Sequence, residues 1–189
     1  MSGFDEQSLR ARAQRTTITK SAEAVLKESV TASAQRTSFD IFLSHSYLDN
    51  KVILGIKLAL EDMGHSVYVD WIEDRQLSRE NVTRETAAVL RERMKQSRSL
   101  FYATSANTSN SKWMPWELGY MDGLKSKSAI LPVLLSPTTT RAYRGQEYLG
   151  IYPYIDKAKP QNGTNEVLWV HEAPSIYVRY SEWLNGSQP

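Results

Sequence analysis

Three polar clusters in this 189-residue chain each follow a short apolar run, and they hold its best candidates for chemistry. The first is Ser44, His45, Ser46 and Asp49; the second is Asp70, Trp71, Glu73 and Asp74. The third spans Ser105, Asn107, Lys112, Trp113 and Glu117. The set is rich in hydroxyls, carboxylates and indoles and poor in cations. GxxxxGK[ST] and GxGxxG are both absent and no two of the nine glycines lie together, which excludes the phosphate cradles of kinases and dehydrogenases. Without cysteine there is no thiolate nucleophile, disulfide framework or cysteine-bound zinc. His45, His65 and His171 lack HxxxH spacing, so no metal site is expected. The residue types in these clusters can hydrogen-bond a polar ligand or stack on a planar one. Spacing alone does not make His45 a general base.

The elements that must position these clusters are readable from periodicity. Phe39–Leu43, Ser66–Val69, Ser99–Ala103 and Ala129–Leu135 are short β-type runs, and Val167–Val170 reads as a fifth strand. Between them, Val52, Ile53, Ile56, Leu60 and Met63 share a helical face that stops at Gly64, a C′ residue. A second helix is expected from about Glu80 to Lys95, with Val82, Val89, Leu90 and Met94 apolar. A third carries Trp113, Trp116, Tyr120 and Leu124, and a last one runs from Ser175 to Leu184 with Pro174 at its opening. Alternating strands and helices predict a parallel sheet covered on both faces. In such sheets ligands bind beyond the carboxyl ends of the strands, where the three clusters fall.

Residues 1–37 stand apart in composition, with Ile18, Ala22, Val25, Leu26 and Val30 near helical spacing, and read as an N-terminal helical extension, either a tail or brace docked on the domain at 38–186 or an oligomerisation arm. Residues 1–38 hold six Lys/Arg against four Asp/Glu, leaving 17 of each for the rest. A neutral body argues against a nucleic-acid or anionic-membrane partner. The start MSGFDEQSLR lacks a signal-peptide core and the run Ile130–Leu135 is too short to span a bilayer, so a cytoplasmic protein is expected.

Phe39-Asp-Ile-Phe-Leu-Ser-His-Ser46, followed by Asp49, resembles the first sequence box of Toll/interleukin-1 receptor (TIR) domains. Gly64-His-Ser-Val-Tyr-Val-Asp-Trp71 resembles the family's second strand and the start of its BB loop. Ser97–Thr104 resembles its third strand, and Trp113-Met-Pro-Trp-Glu117 its Trp-x-x-x-Glu segment. Four boxes in order over Phe39–Leu135 imply a flavodoxin-like three-layer fold around a five-stranded, mostly parallel sheet. The nearest resemblance is to the bacterial, Thoeris-like members that cleave NAD+.

That resemblance implies an NAD+ glycohydrolase or ADP-ribosyl cyclase with Glu117 as the essential carboxylate and no cofactor, NAD+ being the substrate. A carboxylate suits the reaction, because loss of nicotinamide leaves an oxocarbenium-like ribosyl cation. Ser44, His45, Ser46, Asp70, Trp71, Ser105 and Trp113 fall at positions that would line the nucleotide pocket. Structural roles compete with each. Ser44–Ser46 can terminate a strand and cap a helix, Trp71 can anchor a partner, and Asp40 is read as structural. Trp116 and Tyr120 are read as core. If Pro115 opens its helix, Glu117 is the third residue, where an acid offsets the helix dipole. Arg75 and Arg79 either contact phosphate or are solvated charges.

The BB-loop segment lacks the Pro and Gly of many receptor and adaptor members, which weakens a pure scaffold reading. A non-catalytic TIR–TIR interaction module and a nucleoside deoxyribosyltransferase-like enzyme with Glu117 as nucleophile remain the alternatives. Homo-oligomerisation through TIR–TIR contacts, and a separate effector that reads the product in anti-phage defence, are implied by the family.

Overall fold

The computed structural model describes residues 3–19, 37–46, 49–74, 83–105, 108, 111–135 and 147–189. Arg75, Arg79, Val82, Asn107 and the N-terminal positions Ala22, Val25, Leu26 and Val30 lie outside the described residues.

Among the described residues eight strands form one sheet: β1 (Phe4–Asp5), β2 (Phe39–Ser44), β3 (Val67–Tyr68), β4 (Ser97–Thr104), β5 (Ser128–Leu134), β6 (Tyr154–Ala158), β7 (Val167–Ala173) and β8 (Ile176–Arg179). Their order is β3-β2-β4-β5-β6-β7-β8, with β1 also paired to β5. Pairings among β1 to β6 are parallel, whereas β6-β7-β8 is an antiparallel meander. The helices are α1 (Glu6–Thr19), α2 (Asn50–Asp62), α3 (Asp70–Glu73), α4 (Arg84–Gln96), α5 (Trp113–Lys125) and α6 (Tyr180–Leu184).

Strand periodicity divides the core in two. Ile41, Leu43, Val67, Val69, Phe101, Ala103, Ala129 and Leu131 point to one face and pack with Leu9 of α1, Ile53, Ile56 and Leu60 of α2, and Tyr180 and Trp183 of α6. Phe42, Tyr68, Leu100, Tyr102 and Ile130 point to the other and meet Leu90 and Met94 of α4 and Met114, Leu118 and Met121 of α5. The result is the expected three-layer α/β fold with a mostly parallel sheet. Gly64, at φ 88°, takes the left-handed conformation just past the α2 C-cap Met63, as its sequence position predicted.

Four local expectations are corrected. Among the described residues the sheet has eight strands, not five. β6 escaped notice because only Tyr154 and Ile155 precede Asp156 and Lys157, a pattern too short to read. Pro174 and Ser175 form the turn between β7 and β8, so the expected helix from Ser175 is a strand over Ile176–Arg179 followed by the short α6. Thr83, not a residue near Glu80, caps α4, its Oγ1 accepting the Thr86 N–H at 3.1 Å. Finally, α5 opens at Trp113, not at Pro115. Proline is tolerated at its third position because the first-turn N–H groups have no intrahelical acceptor.

The N-terminal segment is knitted into the sheet. Phe4 pairs in register with Val133, Leu9 and Ala13 are buried, and Arg12 holds Asp62 of α2 through two bonds of 2.7 and 2.9 Å. Gly55 of α2 lets the helices meet: a Cβ there would lie 2.2 Å from the Leu9 carbonyl oxygen. No helix among the described residues is long and apolar enough to cross a membrane.

Candidate active site

The carboxyl ends of β2, β3 and β4 carry the three polar clusters, and α5 brings Glu117 against the first. Ser44, the last residue of β2, donates its hydroxyl to Glu117 Oε2 at 2.6 Å, and both residues are 0% exposed. A carboxyl group so enclosed is tolerated only when it is hydrogen-bonded, and the Ser44 hydroxyl meets it at short range.

His45 is equally buried. Its Nδ1 lies 2.8 Å from the Leu43 carbonyl oxygen; a carbonyl only accepts, so Nδ1 carries a proton and donates. That directs Nε2 toward Asp70 Oδ1, 3.5 Å away. Asp70 is buried at the start of α3, where Oδ1 accepts the Trp71 N–H at 2.8 Å. Ser44 thus ties the first loop to the Trp-x-x-x-Glu helix, and the His45 ring brings the same loop up against Asp70 after β3.

The third cluster is joined on as well. Ser105 Oγ donates to buried Asp49, and the Ser105 N–H donates to Thr108 Oγ1 at 2.6 Å. Ser46 is buried, Trp71 is half-buried against the first core cluster, and Trp113 is 7% exposed in the second, edge to face with Trp116 at 5.3 Å. Trp116 stacks on Tyr120 beneath the Arg91 guanidinium. Asp40 accepts from the Ser66 N–H and hydroxyl, both at 2.9 Å. Burial opposes its charge, but these bonds hold it below the usual carboxylate range.

The position of Glu117 also changes. Counted from Trp113 it is the fifth helical residue, and the first turn of α5 holds no acid. Helix-end electrostatics, which fall off within the first turn, therefore do not account for a glutamate at this place.

Two positioning residues escaped the sequence reading. Lys57, 3% exposed, donates to the Val67 carbonyl and Glu61 at 2.8 Å and to Glu73 at 3.1 Å. The signal was present, since Lys57 lies on the same helical face as Ile53, Ile56 and Leu60. Arg93 of α4 grips Asp74 bidentately at 2.8 and 2.9 Å, and the Tyr68 hydroxyl donates to Asp74 at 2.8 Å. Burial opposes ionisation of Asp74, but Arg93 and Tyr68 keep its acidity stronger than usual, while burial and neighbouring carboxylates push the Tyr68 hydroxyl far up. Helices on opposite faces of the sheet, α2 and α4, therefore fix the start of the loop after β3.

Residues 41–168 match the TIR domain family. The chain is 52% identical over 165 residues to the probable 3′ cyclic ADP-D-ribose synthase ThsB′ of Bacillus cereus (strain MSX-D12), covering 87% of this chain and 85% of that protein. It is 39% identical over 83 residues to the putative cyclic ADP-D-ribose synthase TIR2 of Cytobacillus dafuensis, covering 43% of this chain and only 22% of that one. With the sheet order, the loop cluster and these matches in agreement, the chain belongs to the Toll/interleukin-1 receptor (TIR) domain family.

Proposed function

We propose that this protein cleaves the nicotinamide–ribose bond of NAD+ and closes the ADP-ribose unit into a cyclic product. Both relatives are named as cyclic ADP-D-ribose synthases, which favours cyclisation over simple hydrolysis. The observation that carries the site is the buried Ser44–Glu117 pair at the carboxyl edge of the sheet. Nicotinamide leaves with the bonding electron pair and becomes neutral, so no strong general acid is needed. The cation left at the ribose carbon is stabilised by Glu117, which Ser44 orients. A hydroxyl of the same ADP-ribose then attacks that carbon and loses its proton, whereas capture by water would give linear ADP-ribose.

Ser44, His45 and Glu117 expose no surface, so NAD+ reaches Glu117 only after the surrounding loops part. Self-assembly through TIR–TIR contacts supplies that opening in this reading, and a separate effector reads the product in anti-phage defence. The test is incubation with NAD+ across a range of protein concentrations, with nicotinamide quantified and the second product identified by mass. Cyclic ADP-ribose, which is one water lighter than ADP-ribose, is the expected product. No nicotinamide at any concentration would leave a non-catalytic interaction module, and nucleoside base exchange without NAD+ cleavage would indicate a deoxyribosyltransferase-like enzyme.

A further inference from the structure

The antiparallel end of the sheet carries a cluster that NAD+ cleavage at Glu117 does not use. Strand register places Tyr154 and Asp156 of β6, Trp169 and His171 of β7, and Tyr177 and Arg179 of β8 on one face. Trp169, His171, Tyr177 and Arg179 line an open groove of about 800 Å³ whose rim is the turn from Ala158 to Gly163. This volume is within the range of small-molecule sites, roughly 300–1,000 Å³. The groove shares no lining residue with the Ser44–Glu117 site.

Its rings are ordered against one another. His171 stacks on Tyr154 at 4.9 Å and 14°, Tyr177 lies 5.0 Å from His171, and Trp169 meets Tyr177 edge to face at 5.3 Å. Tyr177 is nevertheless 45% exposed, so a ring face is left for a planar ligand. Arg179 lies over Trp169 at 5.7 Å, and neither Arg179 nor Lys159 on the rim forms an ion pair among the described residues. Asp156, the carboxylate on this face, already accepts the Lys157 N–H.

His171 gives the second, independent indication. It is 1% exposed and lines the groove, yet neither ring nitrogen completes a hydrogen bond of good geometry. Burial keeps the ring neutral against the weaker opposing pull of the Ala173 backbone and Asp156. A neutral imidazole offers one donor and one acceptor; the Ala173 backbone engages one nitrogen, and leaving the other unmet inside a protein is costly.

We propose that this groove is a second ligand site and that its ligand is a nucleotide. The base lies on Tyr177 and the edge of Trp169, the phosphates meet Arg179 and Lys159, and the His171 ring, packed between Tyr154 and Tyr177, forms the floor. The proposal does not depend on the reaction at Glu117.

The chain has three histidines, so their ring signals in a proton–carbon NMR spectrum separate the two sites, with His171→Gln assigning its own signal. ADP is the probe because it carries no nicotinamide to release. Titration of the full chain is expected to move the His171 signal saturably. Arg179→Ala and Tyr177→Ala, both at exposed positions, should each weaken that binding about tenfold while leaving nicotinamide release from NAD+ unchanged. Three results would overturn the site: a His171 signal that stays in place, including a shift confined to His45; equal ADP affinity in both variants; or the same shift and affinity with inorganic phosphate alone.

Discussion

Ser44 Oγ and Glu117 Oε2 lie 2.6 Å apart across 73 residues of sequence, both sealed from solvent. The end of the first parallel strand in the site thereby orients the carboxylate of the Trp-x-x-x-Glu helix. Removing the hydroxyl by Ser44→Ala leaves a buried acceptor poorly satisfied, a cost of about 1–3 kcal/mol. The expected outcome is a fall in kcat of roughly tenfold to a hundredfold with KM for NAD+ little changed, and Ser44→Thr should restore part of the rate. Steady-state nicotinamide release checks it; an unchanged kcat in Ser44→Ala would remove Ser44 from this role.

Lys57 is satisfied by three oxygens in a nearly dry site, with the Glu73 side chain only 1% exposed. Lys57→Met should destabilise the fold by about 3–5 kcal/mol because it strands the Glu73 carboxylate. Adding Glu73→Gln to the same chain should recover part of that loss, which urea unfolding measures.

At Gly55 two effects oppose each other. Alanine in the middle of α2 would by helix propensity add about 0.5–1 kcal/mol. The new Cβ would, however, sit 2.2 Å from the Leu9 carbonyl oxygen, a backbone atom that no rotamer can move. The clash wins, and Gly55→Ala should lower stability by about 1–3 kcal/mol. Urea denaturation of the variant checks the sign; a stabilised protein would show that α1 does not dock there.

Between pH 7.5 and pH 5 stability depends on His65 and His171, both with proton affinity lowered below the ordinary value of 6.5, chiefly by burial. The unfolded chain therefore binds protons at each site more readily than the folded one. Their contribution to stability is complete above pH 6.5 and is lost as pH falls through the folded values. Thermal melts should show the melting temperature falling from pH 7.5 to pH 5, and a His65→Gln, His171→Gln chain should show a flatter slope. An equal slope in the double variant would contradict this assignment.

Much of this was legible in the sequence wherever one period ruled a whole element. Val52, Ile53, Ile56 and Leu60 announced α2, and continuous apolar runs announced β2, β4 and β5 because parallel strands are buried on both faces. The three polar clusters were legible for the same reason, since each begins where such a run ends. The features that escaped were set by tertiary contacts. Tyr154-Ile-Asp-Lys-Ala158 becomes a strand because β5 and β7 pair on either side of it, and Ile176–Arg179 because Pro174 and Ser175 make a turn. Helix α5 begins two residues before its proline, which moved Glu117 from the helix terminus into the body of the helix. The pairing of Ser44 with Glu117, and the grip of Lys57 and Arg93 on the loop after β3, depend on approaches across the sheet that no local pattern encodes.

The central claim is that the Glu117 carboxylate stabilises the cation formed when nicotinamide departs. Glu117→Gln keeps the size of the side chain and an oxygen to accept from Ser44, but removes the charge. The decisive measurement is the rate of nicotinamide release from NAD+ by this variant beside the parent chain, with thermal melts showing both folded. A fall of about 10²–10³-fold or more is expected. A folded Glu117→Gln protein that releases nicotinamide at the parent rate would contradict it.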